Sequence, residues 1–72
     1  MRPQDLLDFT RRRPFVPFRI CTTDGTSYDV RHPDLVIVLR SRAIVGVGGN
    51  GLAERTVDVA LVHIVRLESL EG

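Results

Sequence analysis

The 72-residue chain is expected to be mainly β: a short N-terminal α-helix, then five short strands in a strongly bent antiparallel sheet that forms a small barrel. Three observations lead there. Apolar residues follow helical spacing only near the N-terminus. Beyond Val16 they alternate, the period of a half-buried strand. Turn signals at Asp24-Gly25, His32-Pro33-Asp34, Arg40-Ser41-Arg42 and Gly48-Gly49-Asn50-Gly51 cut the remainder into short segments of even length. That pattern belongs to small β-barrels.

Residues 3–12 read as the helix. Pro3 suits a first helical position, and Gln4 and Asp5 favour the positive end of the helix dipole. Leu6 and Phe9, with Leu7 beside them, make a small apolar face. Arg11, Arg12 and Arg13 lie at the C-terminal end, where positive charge is favourable, and Pro14 disfavours helical geometry at Arg13. The first strand, about 16–23, puts Val16, Phe18, Ile20 and Thr22 on one face and Arg19, Cys21 and Thr23 on the other. Asp24-Gly25 is a two-residue hairpin signal, since both residues tolerate positive φ. The return strand, about 26–31, points Tyr28 and Val30 inward. Residues 35–40 are apolar on both faces, which predicts a central strand covered on both sides. A fourth strand follows at about 43–47. The glycine-rich loop after it lacks the Lys-Ser/Thr of a phosphate-binding loop and reads as a hairpin connection. The last β region, 56–68, loses its alternation at 60–63, so a break is expected there.

The length leaves room for one domain over residues 1–72, and so short a chain buries only about 60% of its unfolded surface. Disulfides, metals or partner subunits usually supplement such cores. Cys21 is the only cysteine, so no internal disulfide forms, and two histidines do not suffice for a structural zinc site. Oligomerisation remains. The run Leu35–Leu39 is far short of the ~20 residues of a membrane span, and the N-terminus has no signal-peptide pattern. A cytoplasmic location and no membrane partner are the expectation. The net charge of +1 argues against indiscriminate nucleic-acid binding, yet every basic residue is Arg, the side chain suited to bidentate phosphate contacts. Cys21, His32, Asp34 and His63 are the candidate reactive groups. None has a motif partner, so no enzyme activity, cofactor, metal or small-molecule substrate is expected.

The block Gln4–Gly25, QDLLDFTRRRPFVPFRICTTDG, resembles the opening of the Sm-like family, in particular the bacterial Hfq-like RNA chaperones. The matching features are Gln4-Asp5 on the helix, Arg12-Arg13 as an arginine patch, Val16-Pro17 entering the first strand and Asp24-Gly25 in the hairpin. Asp34–Leu39 is similar to the acidic residue and apolar run that open the family's third strand, and Ala60–Val65 to its last turn and strand. The likeness covers about two-thirds of the chain. The generic small-barrel pattern also fits an SH3-like monomer.

The resemblance implies a homo-oligomeric ring, most often a hexamer, in which two late strands pair between neighbouring subunits, here about Thr56–Val59 of one and Ile64–Glu68 of the next. Val57, Val59, Ile64, Val65 and Leu67 would line that interface. It also implies RNA binding. Arg11, Arg12 and Arg13 match the family's rim, Gln4 matches a residue near its pore, and His63 lies close to the position of a pore histidine. Tyr28 lies where purine-rich RNA meets an aromatic ring. The chain departs from the pattern at Val36, which replaces an aromatic residue, and at Asp58-Val59, which replaces a Lys-His pair. The Gly48–Glu54 loop is longer than the family's connection. A homo-oligomeric protein-interaction module without RNA binding is the other reading.

Overall fold

The structure, a computed structural model, describes residues 1–49 and 52–70. Helix α1 spans Pro3–Thr10. Its first turn is closed by Asp5, whose carboxylate accepts from the Arg2 backbone N–H at 3.3 Å and from its guanidinium at 3.1 Å. Arg11 ends the helix, its N–H donating to the Leu7 carbonyl at 2.8 Å. The helix ends at Thr10, two residues short of the expected limit, and Pro14 keeps Arg13 from helical geometry.

Among the described residues six strands follow, one more than the sequence pattern predicts. β1 is Phe18–Thr22, β2 Ser27–Val30, β3 Val36–Val38, β4 Arg42–Val47, β5 Arg55–Ala60 and β6 Ile64–Ser69. The additional strand comes from the expected break, which is a 3-10 turn at Leu61–His63 that divides the last β region into β5 and β6. The strands form two three-stranded antiparallel sheets ordered β2-β1-β6 and β3-β4-β5, not the closed barrel expected. Where the sheets separate, a second 3-10 turn at Pro33–Leu35 interrupts the chain between β2 and β3. Pro33 has no N–H to give a ladder, so pairing ends there.

The expectation of a central, doubly covered strand at 35–40 is also corrected. The turn consumes Leu35, β3 holds only three residues, and it lies at the edge of its sheet. Ile37 is 55% exposed. The Arg40–Arg42 reversal appears as read, but the first hairpin turns through three residues, Thr23 to Gly25, because the Thr22 N–H donates to the Thr26 carbonyl at 3.0 Å and Asp24 does not adopt positive φ. Gly25 has φ +86°, and the Leu39 N–H donates to the Arg42 carbonyl at 2.8 Å.

Leu6, Phe18, Ile20, Val30, Ala43 and Val45 are fully buried, and Val36, Val59, Leu61 and Ile64 complete the core between the sheets. The aromatic rings of Phe9 and Phe15 meet Phe18 edge-on at 5.3 and 6.1 Å, a favoured arrangement. They close the helix end of the core. No helix among the described residues is long and apolar enough to cross a membrane.

Candidate functional site

The predicted site residues fall into two groups. Gln4 and the three arginines belong to α1 and its exit. The Gln4 amide donates to Asp8 Oδ1 at 2.7 Å, so it is engaged one turn along its own helix. Arg11, Arg12 and Arg13 are all exposed and make no ion pair among the described residues. The Arg12 guanidinium lies 3.9 Å from the centre of the Phe9 ring, a cation–π contact. Arg13 donates to the Arg12 carbonyl at 2.8 Å. The result is an unneutralised cationic tip built on an aromatic support.

Tyr28 and His63 form the second group, and the fold brings them together. Both line a cleft of about 250 Å³ with Thr22, Thr23, Asp24 and Asp58. The His63 carbonyl accepts from the Thr23 N–H at 2.8 Å, which ties the 3-10 turn before β6 to the first hairpin. Asp24 organises that hairpin. Its Oδ1 accepts from the Thr22 hydroxyl and from the Thr26 N–H at 3.0 Å. These bonds favour the carboxylate and hold its pKa down to about 2. The arginine tip does not border this cleft.

The expected interface residues also divide. Val59 and Ile64 are 5% and 4% exposed and pack in the core. Val57 and Leu67 are half-buried at its margin, while Val65 is 52% exposed. Val65 owes its exposure to a register shift in the β1–β6 ladder: Thr22 pairs with Ile64 but Cys21 with Arg66. The extra residue is a β-bulge, which redirects side chains locally.

A larger cleft was missed by sequence reading. It occupies about 560 Å³ between β2, the Pro33–Leu35 turn and the β4–β5 hairpin. Arg19, Asp29, Arg31 and Arg55 line it together with His32 and Tyr28. Asp29 receives Arg19 in a two-pronged contact at 2.8 and 3.4 Å and lies 3.6 Å from the Arg31 guanidinium. The hydrogen bonds from Arg19 lower the Asp29 pKa, and the charge of Arg31 adds to the effect. Arg55 makes no ion pair among the described residues. The lining comes from β1, β2 and a hairpin far along the chain, so no local motif marks it. The only signal in the sequence was that Arg19, Asp29 and Arg31 alternate outward.

Cys21 is 8% exposed beneath the Arg66–Glu68 pair. His32 lines the larger cleft and His63 the smaller. Asn50 and Gly51, within the Gly48–Glu54 loop, lie outside the described residues. Among the described residues no group of three His, Cys, Asp or Glu side chains converges as a metal site would require. The chain matches no protein-family model, no curated protein and no solved structure.

Proposed function

We propose that this chain is an Sm-like, Hfq-like small β domain that assembles into a homo-oligomeric ring, a hexamer by resemblance, and offers its arginine tip to RNA. The observation that carries the reading is the placement of β5 and β6. Each is the outermost strand of its sheet, with one side of its backbone left without a ladder. Open edges of this kind favour pairing with another chain. The resemblance assigns pairing between subunits to these same two strands. Setting β5 of one copy against β6 of the next satisfies both edges, and the contact repeats until a ring closes. Val65 gains cover in that arrangement, with Val57 and Leu67 beside it.

Arg11, Arg12 and Arg13 support the RNA part. Three adjacent guanidinium groups without acidic partners attract phosphate, and such binding weakens as salt rises. A cytoplasmic location belongs to the same reading.

A second reading, a homo-oligomeric protein-interaction module without RNA affinity, draws on two contacts. Arg12 already stacks on Phe9. Asp58 stands where the family carries a cation, and it pairs with Arg42 at 3.5 Å.

Light scattering tests the assembly. A species six times the 8.1 kDa chain is expected, and Val65→Lys shifts it toward smaller forms while the fold is kept. A monomer at all concentrations overturns the ring. Titration of short U-rich and A-rich RNA across a salt series tests the tip. Joint replacement Arg12→Ala and Arg13→Ala should lower the salt slope by about two, one per lost phosphate contact. Absence of binding at low salt leaves the second reading.

A further inference from the structure

We propose that the cleft between β2 and the β4–β5 hairpin binds a small phosphomonoester with a flat body, its phosphate held by Arg31 and Arg55 and its body lying against Tyr28. This site is separate from the arginine tip and does not depend on ring assembly.

Charge is the first argument. Three guanidinium groups and one carboxylate line the cleft together with His32, which leaves a surplus of two positive charges. Asp29 does not quench all of them. It is engaged two-pronged by Arg19, while Arg31 lies at 3.6 Å, beyond hydrogen-bond distance. Arg31 therefore keeps its donors for a further acceptor, and its side chain is 61% exposed. Arg55 reaches the same cleft from β5 with no acidic partner among the described residues. Guanidinium groups match phosphate oxygens in pairs.

Shape and lining supply the second argument. The volume of about 560 Å³ lies within the roughly 300–1,000 Å³ typical of small-molecule sites. Tyr28 provides the cleft's aromatic group, with Leu35 and Val47 as apolar lining. Such a surface takes a ring, not a bare ion. A free phosphate would leave it bare, and an uncharged ring would leave Arg31 and Arg55 unanswered. A mononucleotide satisfies both halves, whether free or at the phosphorylated end of a nucleic-acid chain.

The test uses the full chain, with calorimetric titration and amide chemical shifts as readouts. AMP is expected to bind at least about tenfold more tightly than adenosine, the scale of a charge-assisted contact, and to shift the Tyr28, Arg31 and Arg55 signals. Arg55→Ala, which breaks no hydrogen bond or ion pair among the described residues, should weaken AMP about tenfold. Tyr28→Leu should weaken AMP but leave inorganic phosphate unchanged. Arg40→Ala, outside the cleft, should change nothing. A phosphorylated oligonucleotide that binds more tightly than AMP assigns the site to chain ends, and the reverse order assigns it to free nucleotides. Equal binding of AMP and adenosine, or of AMP and inorganic phosphate, overturns the proposal. So does AMP binding that Arg55→Ala leaves intact.

Discussion

The two sheets share one core but present different surfaces. The outer face of the β2-β1-β6 sheet is organised by charge. Arg19 pairs with Asp29, Arg31 approaches the same carboxylate, and Arg66 meets Glu68 at 2.6 Å. Arg66 stands opposite Cys21 in the ladder, and Cys21 is 8% exposed. The outer face of the β3-β4-β5 sheet carries Ile37 opposite Ile44, which in turn lies opposite Asp58. The Arg42–Asp58 ion pair on this face is 3.5 Å long with both side chains more than half exposed. Their hairpins differ in the same sense. The first is tied across its tip by Thr22, Asp24 and Thr26, whereas Leu52 in the second is 82% exposed. The first sheet covers its outer face with paired charges and leaves Val65 of β6 exposed. The other leaves apolar surface at Ile37 and Leu52.

The largest expected effect removes the core that joins them. Phe18 is fully buried from the first sheet and Val45 from the second. Phe18→Ala should cost about 3–5 kcal/mol, a large share of what a small domain has. It also leaves the Phe9 and Phe15 rings without their partner. Val45→Ala should cost about 1.5–3 kcal/mol. Urea denaturation followed by circular dichroism ranks the two. If Val45→Ala is the costlier, the core is centred on the second sheet.

The two hairpins give a smaller contrast. Gly25 and Gly49 both have positive φ, +86° and +74°. A Cβ at Gly25 meets nothing within 4 Å, so Gly25→Ala costs backbone strain alone, about 1–2 kcal/mol. A Cβ at Gly49 would collide with the Leu52 carbonyl, so Gly49→Ala carries the same strain and a displaced loop. Equal melting temperatures for the two variants would mean that the second loop yields without cost.

These contrasts explain what was legible in the sequence. The helix, both short reversals and the break before β6 rest on local rules. Pro14, Asp24-Gly25 and the lost alternation at 60–63 act on their neighbours and appear where read. The central strand at 35–40 failed because an apolar run does not reveal how many strands flank it. Pro33 and the turn it starts left β3 short and at an edge. The burial of Cys21 was hidden for a related reason. Alternation placed it outward with Arg19, as β1 has it, but its cover comes from β6, more than forty positions along the chain. The arginine tip was legible because its residues are consecutive. The larger cleft was not, since Arg19, Arg31 and Arg55 meet only after both sheets have formed.

The smallest expected effect is acid sensitivity, and it should fall on the first sheet. Asp24, Asp29 and Glu68 all have lowered pKa values, held down by the Thr22 hydroxyl, by Arg19 and by Arg66 respectively. A carboxyl group with a lower pKa folded than unfolded stabilises the fold above its unfolded pKa. That contribution disappears as pH falls through the folded value. For Asp24 the window runs from the ordinary 3.8 down to about 2. Melting temperature should therefore hold from pH 7 to about 5, where Glu68 with its ordinary value of 4.5 begins to contribute less, and then decline toward pH 2. Asp24→Asn keeps an acceptor for the Thr22 hydroxyl and the Thr26 N–H but cannot titrate. It should melt slightly lower at neutral pH and lose part of the acid decline. Amide exchange locates the effect: protection in β1 and β2 should fall before that in β4, because local opening follows the weakest contacts. If β4 loses protection first, the charged face does not stabilise the first sheet.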